Sequence, residues 1–282
     1  MPFQGTSRLT VSCRAVEQTI DAAALAAEID RRIVALANPT TETIRRVRRA
    51  YSKRLHTADA GDVVAVADAL VERHRWVAYE LLYHHPDALS VLGSEEVTRL
   101  GRGLDSWGSV DAFGRYISGP AWQRGVIPDE IVLRSAASPD RWWRRAALVS
   151  TVPLNLRSAG GSGDAERTLE VCRRLASDRD DMVVKALSWA LRGLVRWDPS
   201  AVRGFLEDQG DVLATQVRRE VLTKLETGRK VRARPSVDGL GVDGVGHAAL
   251  AADARVHSGA QATGRRRADT GLQPGQRQPI GT

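Results

Sequence analysis

Trp107 and Asp111 stand four residues apart in "LDSWGSVDAFGRYISG" (104–119), so a helix places the indole and the carboxylate on one face. That pair suits neither a core seam nor an ordinary solvent face. Arg145, Lys185 and Trp189 extend the same face through a repeat set out below, giving a strip of two indoles, one carboxylate and two cations. Such a strip can hold a polyanion, with Arg and Lys on phosphate oxygens and indole faces on sugars or bases. A carboxylate opposes simple phosphate binding, and its presence has two readings. In one, Asp111 pairs with Arg145 of the next repeat and orders the stack. In the other, it stabilises the cation that develops on deoxyribose as a glycosidic bond breaks. At ~4 Å and an effective dielectric near 20 that attraction is on the order of 4 kcal/mol, or about three decades of rate. Cationic alkylated purines are already good leaving groups and need no general acid.

The elements that position these residues have helical periodicity. From about residue 20 to 228 apolar residues recur with helical spacing and nowhere with sustained strand alternation. "AALAAEIDRRIVALAN" puts Leu25, Ile29, Ile33 and Leu36 on one stripe and ends at Asn38-Pro39. "TTETIRRVRRAYSKRL" turns Ile44, Val47, Tyr51 and Leu55 inward, with basic residues elsewhere. Further helices are expected over 61–73, 74–85, 94–104, 107–118, 128–137, 140–152, 164–177, 180–197, 199–208 and 211–227, about twelve in all. Short breaks such as "HHPD", "ISGPAW" and "RWDPS" separate them.

Lined up, "RWVAYELL", "SVDAFGRY", "WRRAALVS" and "VVKALSWA" each place an alanine after a variable residue. The variable positions are Val77, Asp111, Arg145 and Lys185, and the alanine suits a site where helices approach closely. Periods near 34–40 residues belong to two-helix units of the tetratricopeptide or HEAT kind. The expected fold is all-α, a right-handed α-solenoid of about six HEAT-like two-helix repeats with a concave basic groove. Residues 1–19 read as an N-terminal extension, 20–228 as the repeat domain, and 229–282 as a basic, glycine-rich tail unable to bury a core.

Composition narrows the partner. The 282 residues carry a formal charge of +7, mostly from arginine, and seven of the fourteen aromatic residues are Trp. Arginine suits forked contact with phosphate, so nucleic acid is the favoured polyanion. Cys13 and Cys172 fit no metal or redox spacing, and no run is long and apolar enough for a membrane span. A reducing cytoplasm is the expected location.

In order, "SWGSVD", "RWWRRAAL" and "MVVKALSWALRGLVRWDPSAV" resemble the bacterial DNA alkylation repair enzymes built from HEAT-like repeats, the AlkD type of alkylpurine DNA glycosylase. The resemblance spans about residues 20–228. It implies that Asp111 is the catalytic carboxylate and that Trp107 and Trp189 are aromatic walls against the damaged nucleotide's sugar. Arg145 matches the arginine beside them and is expected to anchor a neighbouring phosphate. The implied substrate is duplex DNA holding cationic N3- or N7-alkylated purines, hydrolysed without base flipping, unlike the usual glycosylase route. No cofactor and no metal are implied, the protein is expected to be a monomer, and DNA binding would place it on the nucleoid. Gly108 departs from the family pattern, which often has a bulky or acidic residue there. The rival from another class is a non-catalytic solenoid that binds DNA or a protein partner.

Other cations are candidates for the DNA track. "RRVRRAYSKR" (45–54) contributes Arg45, Arg48 and Arg49, read either as a phosphate-gripping helix or as a solvated face. Arg192 and Arg196 continue the Trp189 face beyond Lys185, and Arg218, Arg219 and Lys224 lie on the last helix. His84 and His85 at a helix end read as helix-dipole partners rather than metal ligands. Trp76, Trp122, Trp142, Trp143 and Trp197 read as packing between repeats, and "SAGGSGD" (158–164) as a linker without a phosphate-loop lysine.

Overall fold

A computed structural model describes residues 20–229. The expected N-terminal extension and the tail from 230 onward lie outside the described residues. Among those described, every regular element is helical. The first half holds α1 (Ala22–Val34), α2 (Thr41–Leu55), α3 (Ala60–His84), α4 (Ser94–Leu100), α5 (Trp107–Phe113), a π segment (Gly114–Ser118) and α6 (Gly119–Gln123). The second half holds α7 (Asp129–Ala136), α8 (Arg141–Leu154), α9 (Ala165–Arg174), α10 (Asp181–Leu194), α11 (Pro199–Gln209) and α12 (Thr215–Thr227).

Aspartates start many of these helices. Asp21, Asp59, Asp140, Asp164, Asp180 and Asp198 each accept a hydrogen bond from a first-turn backbone N–H. Each such cap is worth about 1 kcal/mol over alanine. Six of the chain's 34 acidic residues are thus spent on helix starts.

The helices pack in two rows. In one, α3 rests on α1 and α2, then meets α5 and the π segment; the α5–α6 rod lies against α8, α8 against α10, and α10 against α12. In the other, α7 contacts α9 and α9 contacts α11, each also touching the first row. Residues 32 or 34 apart meet across neighbouring helices of the first row: Arg48 with Glu80, Asp111 with Arg145, Ser118 with Ser150, and Ser188 with Glu220. The alanines singled out by the repeat, Ala78, Ala112, Ala146 and Ala186, are all buried. The variable positions before them diverge. Val77 is core, Asp111 and Arg145 pair, and Lys185 is exposed.

The division expected between 61–73 and 74–85 is present as a kink: α3 covers both stretches, and His74 between them leaves helical geometry (φ −137°, ψ 55°). His74 Nε2 meets Asp30 Oδ1 at 2.7 Å, so the kink is tied to α1. The last helix begins at Thr215, four residues later than expected.

A further difference from expectation bears on the strip. "ISGPAW" does not end the helix of Trp107; the rod continues through the π segment to Gln123. Pro120 lacks an N–H and its ring crowds the carbonyl four residues back, which would break a plain α-helix. Here the wider winding absorbs it, and the Gly119 N–H reaches the Gly114 carbonyl five residues back. The glycines also allow close packing. A Cβ on Gly119 would lie 2.6 Å from the Ser150 carbonyl oxygen, and one on Gly114 2.7 Å from Val149 Cγ1. The rod thus presses on α8 at backbone distance, which sets where Asp111 meets Arg145.

Candidate functional site

Helix α5 starts at a capping box in which the Ser106 side chain accepts from the Ser109 N–H and Ser109 Oγ accepts from the Ser106 N–H. Trp107, the first helical residue, is 41% exposed. One turn on, Asp111 is held by a forked contact from α8. Arg145 Nε donates to Asp111 Oδ1 at 2.9 Å and Nη2 donates to Oδ2 at 3.0 Å. Nη1 donates to the Met182 carbonyl oxygen. One guanidinium therefore joins α5, α8 and α10. The Arg145 side chain is 7% exposed and that of Asp111 17%.

Burial raises the Asp111 carboxyl above its ordinary value of 3.8, against the lowering effect of Arg145's charge, its hydrogen bonds, and the nearby charge of Arg115. A carboxylate offers about four lone-pair sites. Arg145 takes one on each oxygen, leaving acceptor capacity on both. The group is oriented, partly dehydrated and able to accept a further hydrogen bond.

The other cations of the strip are mostly committed to internal acceptors. Arg145, expected to reach a phosphate, instead points all three of its nitrogens inward, so its observed part is to orient Asp111. Arg45 and Arg48 also turn away from an outer phosphate-gripping face. Arg45 donates to Glu80 Oε1 at 3.3 Å and Arg48 to Glu80 Oε2 at 2.8 Å, with Trp76 Nε1 on Oε1 at 2.9 Å. Arg48 is buried because its carboxylate partner is buried, and an unpaired Glu80 there would be costly. Arg49 pairs with Glu42 at the surface, and Lys185 pairs with Asp181. Arg192 donates to Ser188 Oγ at 3.1 Å and stands 3.6 Å from Glu220 Oε2, half-dehydrated enough that burial lowers its pKa. Lys224 bonds the Gly228 carbonyl oxygen. Arg196, Arg218 and Arg219 are exposed.

Of the two indoles, Trp107 is the open one; Trp189 is partly buried against the core. Trp122, Trp142, Trp143, Trp76 and Trp197 all pack on the core, and Trp142 carries the Arg141 guanidinium 4.7 Å above its ring. His85 accepts from the Asp87 and Ala88 N–H groups at its Nδ1. Among the described residues no group of three or more His, Cys, Asp or Glu could hold a metal ion.

Two groups escaped the reading of the sequence. Glu80 is the centre of the α2–α3 junction; its spacing of 32 from Arg48 equals that of Ser118 and Ser150, a regularity that only the packing reveals. Arg115 lies one turn beyond Asp111, and its four-residue spacing was visible in the sequence.

A family model described as DNA alkylation repair enzyme matches residues 21–225, a span that holds Trp107, Asp111, Arg145 and Trp189. The chain belongs to the DNA alkylation repair enzyme family. No curated protein and no solved structure matches it. No helix among the described residues is long and apolar enough to cross a membrane.

Proposed function

We propose that this DNA repair enzyme is a monofunctional glycosylase that hydrolyses the N-glycosidic bond of cationic N3- and N7-alkylated purines in duplex DNA. The observation that carries the reading is Asp111, a partly buried carboxylate fixed by a forked arginine beside an exposed Trp107. Fixed orientation matters because a carboxylate that needs no rearrangement stabilises developing positive charge most effectively. Asp111 would face the deoxyribose as the bond to the departing base lengthens and would take a hydrogen bond from the attacking water. Trp107 and Trp189 would bear on the sugar. The bond from C1′ to the alkylated purine breaks with its electron pair going to the departing base, which leaves neutral; water adds at C1′ and releases its proton to solvent, so the products are free base, an abasic site and one proton.

The two-row packing with contacts recurring at 32 and 34 residues supports a HEAT-like α-solenoid over 20–228, with the first row lining the DNA. On this reading the lesion is met in a shallow track, without base flipping. The protein would act as a monomer, without cofactor, in the cytoplasm and on its DNA.

A second reading rests on the same ion pair. Arg145 on Asp111 is also what a purely structural bridge would look like, and the protein would then bind DNA without cleaving a bond. Incubation of the full chain with methylated duplex DNA separates the two. Free 7-methylguanine and 3-methyladenine with strands left intact would support the glycosylase, whereas salt-sensitive binding with no base released would leave the binding solenoid.

Activity should also have an acid limb above the ordinary aspartate range. The ionised Asp111 is the active form, burial raises its pKa above 3.8, and so protonation removes activity earlier as pH falls. Base release followed against pH, with enzyme-free depurination subtracted, checks this; a rate still level at the ordinary aspartate value would exclude Asp111 as the titrating group.

A further inference from the structure

We propose that Arg115 is a phosphodiester-binding residue of the strip, anchoring the backbone beside the nucleotide that Asp111 faces. The inference rests on the reading that the strip lies against duplex DNA. Arg115 follows Asp111 by four residues, at the point where α5 passes into the π segment, and shares its face. Its guanidinium lies over the Tyr116 ring, 5.6 Å from the centroid. Tyr116 is in turn steadied by an edge contact with Tyr83, ring centroids 5.2 Å apart. A cation–π contact of this kind restrains the guanidinium and leaves its N–H groups available for a forked contact.

The carboxylates nearest Arg115 and Tyr116 have other partners. Asp111 is held by both prongs of Arg145, and Glu80, beside Tyr116, is held by Arg45, Arg48 and Trp76. Arg115 itself makes no ion pair or hydrogen bond among the described residues, although it is partly buried. A guanidinium whose nearest carboxylate is already taken up by a forked arginine keeps its own N–H groups for an outside acceptor. Within reach of the strip, a phosphate oxygen supplies one. The neighbouring cations named as phosphate ligands from the sequence, Arg145, Arg45 and Arg48, lack this freedom because each is turned onto a carboxylate.

The test uses the full chain, with Arg115→Gln beside the wild type, and measures binding to a duplex carrying a single site-specific lesion across a salt series. Removal of one phosphate contact should make the slope of log Kobs against log salt shallower by about 0.9. A set of duplexes with one neutral methylphosphonate each, walked across the phosphates flanking the lesion, locates the partner. At one position the neutral linkage should weaken the wild type as much as the substitution does and add nothing to Arg115→Gln. An unchanged salt slope, or a variant that every methylphosphonate weakens as it weakens the wild type, overturns the proposal. Absence of salt-sensitive binding by the wild type overturns it as well. Binding with the expected cycle but no base release sinks the glycosylase reading and leaves Arg115 as a phosphate ligand.

Discussion

Asp111→Asn should slow base release by about three decades and leave DNA binding equal or tighter. The change removes one negative charge and almost no volume. The amide oxygen can still accept from one prong of Arg145 while the amide NH2 faces the other, so α5 and α8 stay joined by a weaker bridge and the fold survives at some cost in stability. What disappears is the attraction between a carboxylate and a sugar cation, on the order of 4 kcal/mol at about 4 Å and an effective dielectric near 20. Binding gains because the strip no longer presents an acid to phosphates. Single-turnover release of 7-methylguanine, with affinity measured on the same duplex, reads both effects. Equal release by variant and wild type would remove Asp111 from the chemistry while leaving the family assignment intact.

The second large effect belongs to the partner of that carboxylate. Arg145→Met should destabilise the fold by about 3–5 kcal/mol, because it leaves a buried Asp111 without its counter-charge. Both side chains are well under a third exposed, so solvent does little to screen the pair. For a domain of this size the loss is about 6–20 °C in Tm. The Met182 carbonyl also loses its donor, which loosens α8 from α10. Adding Asp111→Leu to Arg145→Met should recover much of the loss, since an apolar pair replaces a buried ionic one at little cost. Denaturant midpoints of the two variants decide the matter; a single variant as stable as the wild type would mean that the bridge contributes nothing to folding.

Helix positions and the crowded alanines were readable because both follow from local periodicity. Leu25, Ile29, Ile33, Ile44, Tyr51 and Leu55 are buried as their spacing implied. The Asp111–Arg145 contact was readable as one of two alternatives, because both occupy one slot of a repeat. The fate of the arginines was not. Arg45 and Arg48 look like surface cations in "RRVRRAYSKR", and only the packing of α2 on α3 shows that Glu80 draws them in. Charge pattern along one helix carries no information about an acid 32 residues away unless the stacking is known. Arg145 was open between two readings, since its type suits a phosphate as well as the carboxylate it meets in the fold. Gly119-Pro120 read as a break because the local rule for proline assumes α winding, which the π segment does not obey.

That segment also decides which of two indoles the strip receives. Trp122 follows Asp111 by eleven residues, about three α-helical turns, so on an unbroken helix it would stand on the same side of the rod. A π turn holds one residue more than its α counterpart, and everything after it is rotated by about 100°. Trp122 is therefore carried round into the core, with its Nε1 on Asp129 Oδ1 at 2.7 Å, while Trp107 keeps the open side. The segment acts as a phase shift between two halves of one rod, and its single surplus residue keeps a bulky ring from closing the surface that Asp111 faces.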